Sequence, residues 1–158
     1  MKHTSQIAKH LRELFFGGNW TWSNFKQHAE HIDWKLATTK LHSCNSIAVL
    51  LHHVTYYVHI QIKVLSGGPL EGKDALSFTH PPIHNQEDWE QMQATTWQAV
   101  EQLVALIEAM PDEQLFDHFS VEKYGNYYRN LLGLIEHSHY HLGQMVLIKK
   151  ILQQDMPQ

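Results

Sequence analysis

The sequence predicts an all-α fold, an antiparallel four-helix bundle with a long connection between its first two long helices. Four long segments carry apolar side chains at steps of three and four residues, the period of a helix with one buried face. Stretches rich in Gly and Pro separate these segments, and neither an internal repeat nor strand–helix alternation is present. At 158 residues the chain has the usual size of one domain, so residues 1–158 are interpreted as a single domain.

The first long helix is expected over residues 4–16, with Thr4 or Ser5 as its N-cap and two glycines after its end. Its buried face is predicted to be Ile7, Leu11, Leu14 and Phe15. The aromatic-rich connection over residues 19–45 should hold one or two short helices around residues 23–39. Its length predicts either a crossover between the ends of the bundle or a lid over one end.

The second and third long helices have clear sequence boundaries. Asn45 is a candidate cap for the second helix, which runs to Ser66 and is followed by two glycines and a proline. Residues 67–85 are expected to form an irregular loop. The third helix is expected over residues 86–109. Its buried face is predicted to be Trp89, Met92, Thr96, Ala99 or Val100, Leu103 and Ile107.

The fourth long helix is expected over residues 126–153, with Asn126 as its N-cap. The loop before it, residues 111–125, is expected to contain a short β-like piece around residues 115–121. Within the helix, Gly143 is expected to let a neighbouring helix approach closely.

Two histidines four residues apart, His137 and His141, lie on the apolar face of this fourth helix. At about 100° per residue they project from one side, so the helix can offer two imidazoles to one metal ion. Leu134 and Met145 share their face, whereas His139 points to the opposite side. Burying a polar group without a partner costs about 1–3 kcal/mol. The pair therefore needs either hydrogen bonds within the core or a metal with a third ligand.

A third candidate ligand, His53, lies on the second long helix. The buried face of that helix is predicted to be Ile47, Leu50, His53, Tyr57, Ile60 and Val64. His52 and His59 fall off this face and are expected at the rim or surface. His53, His137 and His141 would supply three neutral nitrogen donors and leave a further position open, as in catalytic zinc sites. Nickel and other borderline divalent ions accept the same donors, so the predicted cofactor is a divalent metal, zinc or nickel.

Composition narrows the classes of binding partner and the cellular compartment that we expect. The net charge is −4 and Lys149-Lys150 is an isolated basic pair, so no nucleic acid partner is expected. No segment reaches about 18 unbroken apolar residues, so no membrane association is expected. Residues 1–10 lack the apolar core of a signal peptide, and a single cysteine, Cys44, fits a reducing compartment. Together these features predict a cytoplasmic protein.

The residues around the three histidines resemble a known family. The stretches Asn45-Ser-Ile-Ala-Val-Leu-Leu-His-His53 and Ile135-Glu-His-Ser-His-Tyr-His-Leu-Gly-Gln144 are similar to the DinB/YfiT-like family of metal-binding four-helix bundles. The similarity covers nearly the whole chain. It implies that a His on the second long helix and the HxxxH pair on the last helix bind a divalent metal, and these positions are His53, His137 and His141.

The resemblance also implies an activity, because some members of the family are thiol S-transferases. We therefore expect a metal-dependent thiol S-transferase that acts on a small thiol and a small electrophile. Two alternatives stay open: a metal-dependent hydrolase, and a non-catalytic metal-containing stress-response or sensor module. A hydrolase needs a general base, and Glu136 lies about 100° off the inward face. The sequence assigns no catalytic residue.

Two segments are expected to form walls over the open metal position, because each lies at a helix boundary where a bundle opens. They are Asn-Trp-Thr-Trp-Ser at residues 19–23 and Tyr-Gly-Asn-Tyr-Tyr-Arg at residues 124–129. Within the second segment, Arg129 is either an anion binder or a partner in a surface ion pair. Tyr57, one turn after His53, either reaches a metal-bound group or bonds to an unrelated partner.

The aromatic residues of the first connection predict a homodimer. Trp20, Trp22 and Trp34 lie where a monomer would leave them partly exposed, and proteins that this chain resembles often dimerise. The alternative is that these rings cover the open end of the bundle or line the substrate pocket.

Overall fold

A computed structural model describes residues 2–155 of the protein. It contains the helices α1 (His3–Phe16), α2 (Phe25–Ala29), α3 (Trp34–Thr38), α4 (Ile47–Leu65), α5 (Asp74–Ser77), α6 (Gln86–Ala109) and α7 (Tyr127–Asp155). Two 3₁₀ turns, Asp112–Phe116 and Glu122–Tyr124, lie between α6 and α7. Within the described range there is no β-strand, so the predicted all-α class is confirmed. None of the described helices is long and apolar enough to cross a membrane.

The core is built from one face of each long helix, α1, α4, α6 and α7, as the spacing of their apolar residues predicts. Trp89 of α6 is completely buried, and Phe15 of α1 stacks on Phe25 of α2 with ring centroids 4.7 Å apart. The two short helices predicted around residues 23–39 are α2 and α3. They pack against the long helices and extend the same core.

The predicted N-cap is correct for one long helix and wrong for two others. Asn126 caps α7, because its side chain accepts the backbone N–H of Arg129 at 2.9 Å. The cap of α4 is Ser46 rather than the predicted Asn45, and its hydroxyl accepts the N–H of Val49. Ser46 is buried and Asn45 is exposed, so the chain turns into the helix one residue later than expected.

The predicted cap of α1, Thr4 or Ser5, is wrong because a carboxylate distant in sequence performs this role. Asp112 accepts the backbone N–H groups of His3 at 2.8 Å and Thr4 at 3.0 Å, and also the Thr4 hydroxyl at 2.9 Å. A negative charge at this place also complements the helix dipole. These hydrogen bonds tie the start of α1 to the segment that follows α6.

The orientation of the helices follows from contacts at known positions. Along α1 and α6, Arg12 pairs with Glu101 at 2.8 Å, while Thr4 contacts Asp112 just beyond the end of α6, so these helices run in opposite directions. Along α4 and α7, His53 contacts His137 and Gln61 contacts Asn130. These two helices are therefore also antiparallel.

The connection between α4 and α6 returns along α4 and makes the crossover. Contacts along this return are Lys63–Glu71, Tyr56–Lys73 and His53–Ser77. The chain therefore reaches α6 near the start of α4, and α6 runs beside α4 in the same direction, with Thr55 bonded to Thr96. A crossover was considered for the first connection, residues 19–45, but it lies in the second. In the first connection α2 packs on α1 and α7, and α3 packs on α4 and α6.

Two local predictions are wrong and one is confirmed. Residues 67–85 were expected to be irregular throughout, but they include α5. The β-like piece expected around residues 115–121 is confirmed as a single antiparallel bridge, His118–Asn126, which follows a 3₁₀ turn. Gly143 is exposed, and a Cβ placed there would meet no atom within 4 Å, so it permits no close helix approach.

Candidate metal centre

Helices α4 and α7 bring the three predicted histidines together. His53 lies in the second turn of α4 and is 3% exposed, and His141 of α7 is 8% exposed. The Nε2 atom of His137 lies 3.0 Å from the Nε2 atoms of both His53 and His141. One ring nitrogen from each residue falls within 4.8 Å of the others, so the three side chains could hold one metal ion.

The hydrogen bonds of Ser77 fix the tautomer of His53. The Ser77 hydroxyl donates its single proton to the backbone oxygen of Asp74 at 2.6 Å. Because that proton is used, the Ser77 oxygen accepts a hydrogen bond from Nδ1–H of His53 at 2.7 Å. A neutral imidazole carries one proton, so the Nε2 atom of His53 presents a lone pair to the cluster.

Gln144 has the same effect on His141, from one turn further along α7. Its side-chain oxygen lies 2.7 Å from Nδ1 of His141 and accepts that N–H, while its amide nitrogen donates to the Tyr140 hydroxyl at 3.1 Å. The Nε2 atom of His141 is therefore also unprotonated. Bonds of this kind orient metal-ligating histidines and raise the basicity of the ligating nitrogen.

A cation satisfies the resulting arrangement better than hydrogen bonds do. Two lone pairs, on His53 and His141, converge on the Nε2 atom of His137, which can donate at most one proton. At least one nitrogen of the cluster would then face another without a proton between them. A metal–nitrogen distance of about 2.0–2.1 Å puts tetrahedral ligands about 3.3 Å apart. The two 3.0 Å spacings differ from that value by only a few tenths of an ångström, and the ligand nitrogens of His53 and His141 lie within 4.8 Å of each other.

The protonation states also suit metal binding. Burial, with a smaller contribution from the neighbouring imidazoles, lowers the pKa of His137 from its ordinary value of 6.5 to about 4. Burial likewise lowers the pKa of His53 and of His141. All three rings are therefore neutral at pH 7, which is the form that binds a metal.

Aromatic rings surround the cluster. Phe78 stacks on His53 with ring centroids 4.2 Å apart, and Tyr57 lies edge-on to His53 at 5.2 Å and to His137 at 5.0 Å. Of the two roles considered for Tyr57, the structure provides a partner outside the cluster, because its hydroxyl donates to Asp74 at 2.7 Å. Burial and this hydrogen bond raise the pKa of Tyr57 to about 12. Tyr57 is therefore neutral, and its single proton is donated to Asp74 rather than to the cluster.

An open cleft of about 920 Å³, here called the side cleft, begins at His137 and Tyr57. Its walls are the loop at residues 123–126 and the side of α7 between positions 128 and 137. Most of the segment at residues 124–129 therefore lines a cleft that reaches His137, and its predicted place over the open metal position stays a prediction. The predicted wall at residues 19–23 is wrong, since none of its residues lines this cleft.

Residues 19–23 do not reach the side cleft because they form a closed turn of their own. The Asn19 side chain donates to the backbone oxygen of Ser23 at 2.8 Å. Trp20 and Trp22 consequently point outward and are 99% and 86% exposed. Trp34, which was expected to be similarly exposed, is half-buried and packs against the core.

The other histidines singled out in the sequence lie outside the cluster. His52 is half-buried with its ring 6.3 Å from that of His80, and His59 is exposed. His139 faces α1, where its ring lies 6.0 Å from that of His10. Glu136 is exposed, as its position off the inward face predicts.

Sequence reasoning missed the groups that surround the three histidines. Ser77, Asp74 and Phe78 come from a stretch that has no helical period, so no pattern points to them. Gln144 could have been found, because it lies three residues after His141 on the same helix.

Comparison of the chain with protein-family models, with curated proteins and with solved structures found no significant match. The resemblance to the DinB/YfiT-like family therefore stays a prediction based on the residues quoted above.

Proposed function

We propose that the protein is a metal-binding four-helix bundle of the DinB/YfiT-like kind, in which His53, His137 and His141 hold one zinc or nickel ion. The convergence of three neutral Nε2 atoms supports this, with two of the tautomers fixed by Ser77 and Gln144. Borderline divalent ions favour imidazole donors, whereas magnesium and calcium favour oxygen. The proposal includes a cytoplasmic location.

The activity that we propose is a metal-dependent thiol S-transfer to a small electrophile. The observation that carries it is the charge of the site: three neutral donors leave the full positive charge of the metal uncompensated beside aromatic rings. When bound, the metal would lower the pKa of a coordinated thiol and hold it as a thiolate. In the reaction the thiol gives its proton to solvent, its sulfur forms a bond to the electrophilic carbon, and the leaving group departs with the electron pair of the broken bond.

The residues around the histidines have defined parts in this proposal. Ser77 and Gln144 keep the Nε2 lone pairs of His53 and His141 directed into the cluster. Phe78 covers one face of His53 and limits the access of water. Tyr57, whose single O–H proton is donated to Asp74, is a neutral, oriented ring at the rim of the side cleft, where an electrophile would enter. These residues orient the histidines or exclude water, and they do not themselves react.

One observation favours a metal-dependent hydrolase as a second candidate. Asp74 bonds to Tyr57, whose ring contacts His137, so a carboxylate lies one hydrogen bond from the wall of the site. A hydrolase needs such a general base to take a proton from water. The Asp74 carboxylate bonds to Tyr57 and to none of the three histidines in the described structure, so it is not placed at the metal position and we favour the thiol reading. A non-catalytic sensor module is the remaining alternative.

A thiol panel distinguishes these accounts. Metal-loaded protein is incubated with bacillithiol, mycothiol, glutathione or cysteine and a chromogenic electrophile, beside the His137→Ala variant. A rate that needs both the metal and one of the thiols supports the S-transferase. Thiol-independent cleavage of an ester that disappears in Asp74→Asn supports the hydrolase. Bound metal without any rate leaves the non-catalytic module.

A homodimer is also part of the proposal. Two tryptophans of one rigid turn, Trp20 and Trp22, are almost fully exposed, and a second copy of the chain is the occupant that the family resemblance suggests.

A further inference from the structure

The side cleft is lined by two cationic side chains that form no ion pair within the part of the chain that the structure describes. Arg129 and Lys123 both line it, and in the described range 2–155 neither forms an ion pair. The second arginine of the chain, Arg12, does pair with a carboxylate, Glu101, at 2.8 Å. Glu136 is the single carboxylate among the described lining residues, and it lies beside His137 at the other end of the cleft.

Arg129 is held in this position by its neighbours. A Cβ added to Gly125 would lie 3.0 Å from Cδ of Arg129, so the stem of the arginine rests on the glycine backbone. Gly125 has φ +73°, a conformation that other residues adopt with strain. This contact places the guanidinium along the cleft wall. Because the arginine stem is already held, less conformational entropy is lost when the guanidinium pairs with a ligand.

A buried amide at the same cleft lacks a hydrogen-bond partner. Gln61 is 7% exposed, and its amide nitrogen donates to the backbone oxygen of Asn130 at 3.3 Å. That carbonyl can only accept, so the amide cannot turn over. The Gln61 side-chain oxygen is left without a donor within the described protein. A buried acceptor without a partner is costly, and a ligand N–H that enters with a small shift of the wall would satisfy it.

Helix α7 is narrowed beside this cleft by Gly133. A glycine inside a helix is unfavourable relative to alanine, and a Cβ added at Gly133 would meet no protein atom within 4 Å. Packing among the described residues therefore does not explain why a glycine stands at position 133. Because Gly133 lines the side cleft between Arg129 and His137, a side chain there would fill space that a ligand can use.

We propose that the side cleft binds the anionic end of the substrate, a carboxylate-bearing molecule of about tripeptide size whose reacting end lies at the three histidines. Arg129 precedes His137 by eight residues on one helix, a rise of about 12 Å. That distance corresponds to three or four extended residues. Glu136 disfavours a second negative charge near the histidines, so the charge of the substrate lies at the Arg129 end. This inference rests on the proposed function, because it names the substrate class of the same site.

The test is a binding measurement that needs no turnover. Isothermal titration of metal-loaded protein compares ω-mercaptooctanoate with ω-mercaptooctanol, which differ in charge and share their length. We expect the acid to bind about tenfold more tightly, the usual size of one charge-assisted hydrogen bond, and to lose this advantage at high salt. Mercaptopropionate is too short to span the cleft and should show no advantage over mercaptopropanol. Equal binding of the two long probes would overturn the inference.

Two pairs of variants locate the effect. Arg129→Gln should remove the preference for the acid and leave the alcohol unchanged, whereas Arg12→Gln should keep the preference. Gly133→Leu should weaken both long probes at unchanged metal content, whereas Gly143→Leu, on the same helix and equally free of contacts, should not. A preference that survives in Arg129→Gln, or long probes that bind Gly133→Leu normally, would contradict the proposed subsite.

The failure of the proposed function gives a different result. If neither thiol probe binds while the metal is present, the thiol chemistry is refuted and octanoate, a monocarboxylate without a thiol, decides the subsite. Salt-sensitive octanoate binding that is lost in Arg129→Gln supports the anion subsite, and absence of octanoate binding overturns it.

Discussion

Helices α4 and α7 and the segment at residues 74–78 contribute to the same cluster in different ways. The helices project His53 and His141 from faces that the core already buries, so the positions of these ligands depend on helix packing. The 74–78 segment is mostly exposed and reaches the cluster through single contacts, such as Ser77 with His53. The comparison indicates that the packed helices place the ligands and also orient His141 through Gln144, whereas a lightly held segment orients His53. Variants of the two regions should therefore differ in the size of their effects.

The largest effect is expected for the helical ligands. His53→Ala, His137→Ala and His141→Ala should each abolish stoichiometric zinc or nickel, because two imidazoles seldom hold a divalent ion without further ligands. Metal analysis of untagged protein measures this directly. His52→Ala and His139→Ala are the matched controls, since each removes a neighbouring histidine that lies outside the cluster. Full metal retention by any one of the three ligand variants would remove that residue from the assignment.

A smaller effect is expected for the orienting segment. Ser77→Ala removes the acceptor for Nδ1–H of His53 and should weaken metal affinity by about 10–100-fold without abolishing it, the usual cost of losing such a partner. Competition with a chelator of known affinity gives the change. Thr79→Ala, two residues further on and exposed, should leave affinity unchanged. If Ser77→Ala matched the control, the 74–78 segment would have no part in metal binding.

Acid should weaken both the metal site and the metal-free protein. The pKa of His137 is about 4 in the folded protein and about 6.5 when unfolded. Between these values the unfolded chain binds more protons, so the free energy of unfolding of the chelated protein should fall as pH drops from about 6.5 to about 4. Protons also compete with the metal, so affinity should weaken below pH of about 6.

Unfolding titrations at several pH values test the sign of this dependence, with His137→Asn as the comparison because it no longer titrates. The variant should show a weaker loss of stability in acid than the parent. An equal loss in both proteins would place the titration on other groups.

The smallest effect on the site is expected from the Trp20–Trp22 turn, which lies outside both regions. A Trp20→Ser, Trp22→Ser double variant should turn the proposed homodimer into a monomer, because it removes the two most exposed large aromatic rings. Metal content should not change. Sedimentation measures the mass, and a parent protein with the mass of one chain at micromolar concentration would refute the dimer.

The sequence predicts the features of the packed helices well and the features of the connecting segments poorly. Helical period located all four long helices and selected His53 over its neighbour His52, because one residue of offset rotates a side chain by about 100°. It also separated His137 and His141 from His139. Faces of packed helices are specified by periodicity, so these predictions needed no tertiary information.

The remaining features depend on contacts between distant parts of the chain. Asp112 caps α1 from more than a hundred positions away, and Ser77 meets His53 only because the connection returns along α4. The crossover was considered for the first connection and lies in the second, because both are long enough to span the bundle and length alone does not choose between them. The exposed turn at residues 19–23 was misplaced for the same reason: Asn19 closes it locally, and composition alone does not show that.

The most direct test of the central claim is a crystal structure of the protein with zinc or nickel, with anomalous data collected at the absorption edge of the metal. The account predicts one strong anomalous peak about 2.0–2.2 Å from the Nε2 atoms of His53, His137 and His141, with Ser77 and Gln144 still bonded to the opposite nitrogens. A metal-soaked crystal in which the three rings bond to one another and the peak lies elsewhere or is absent would contradict it.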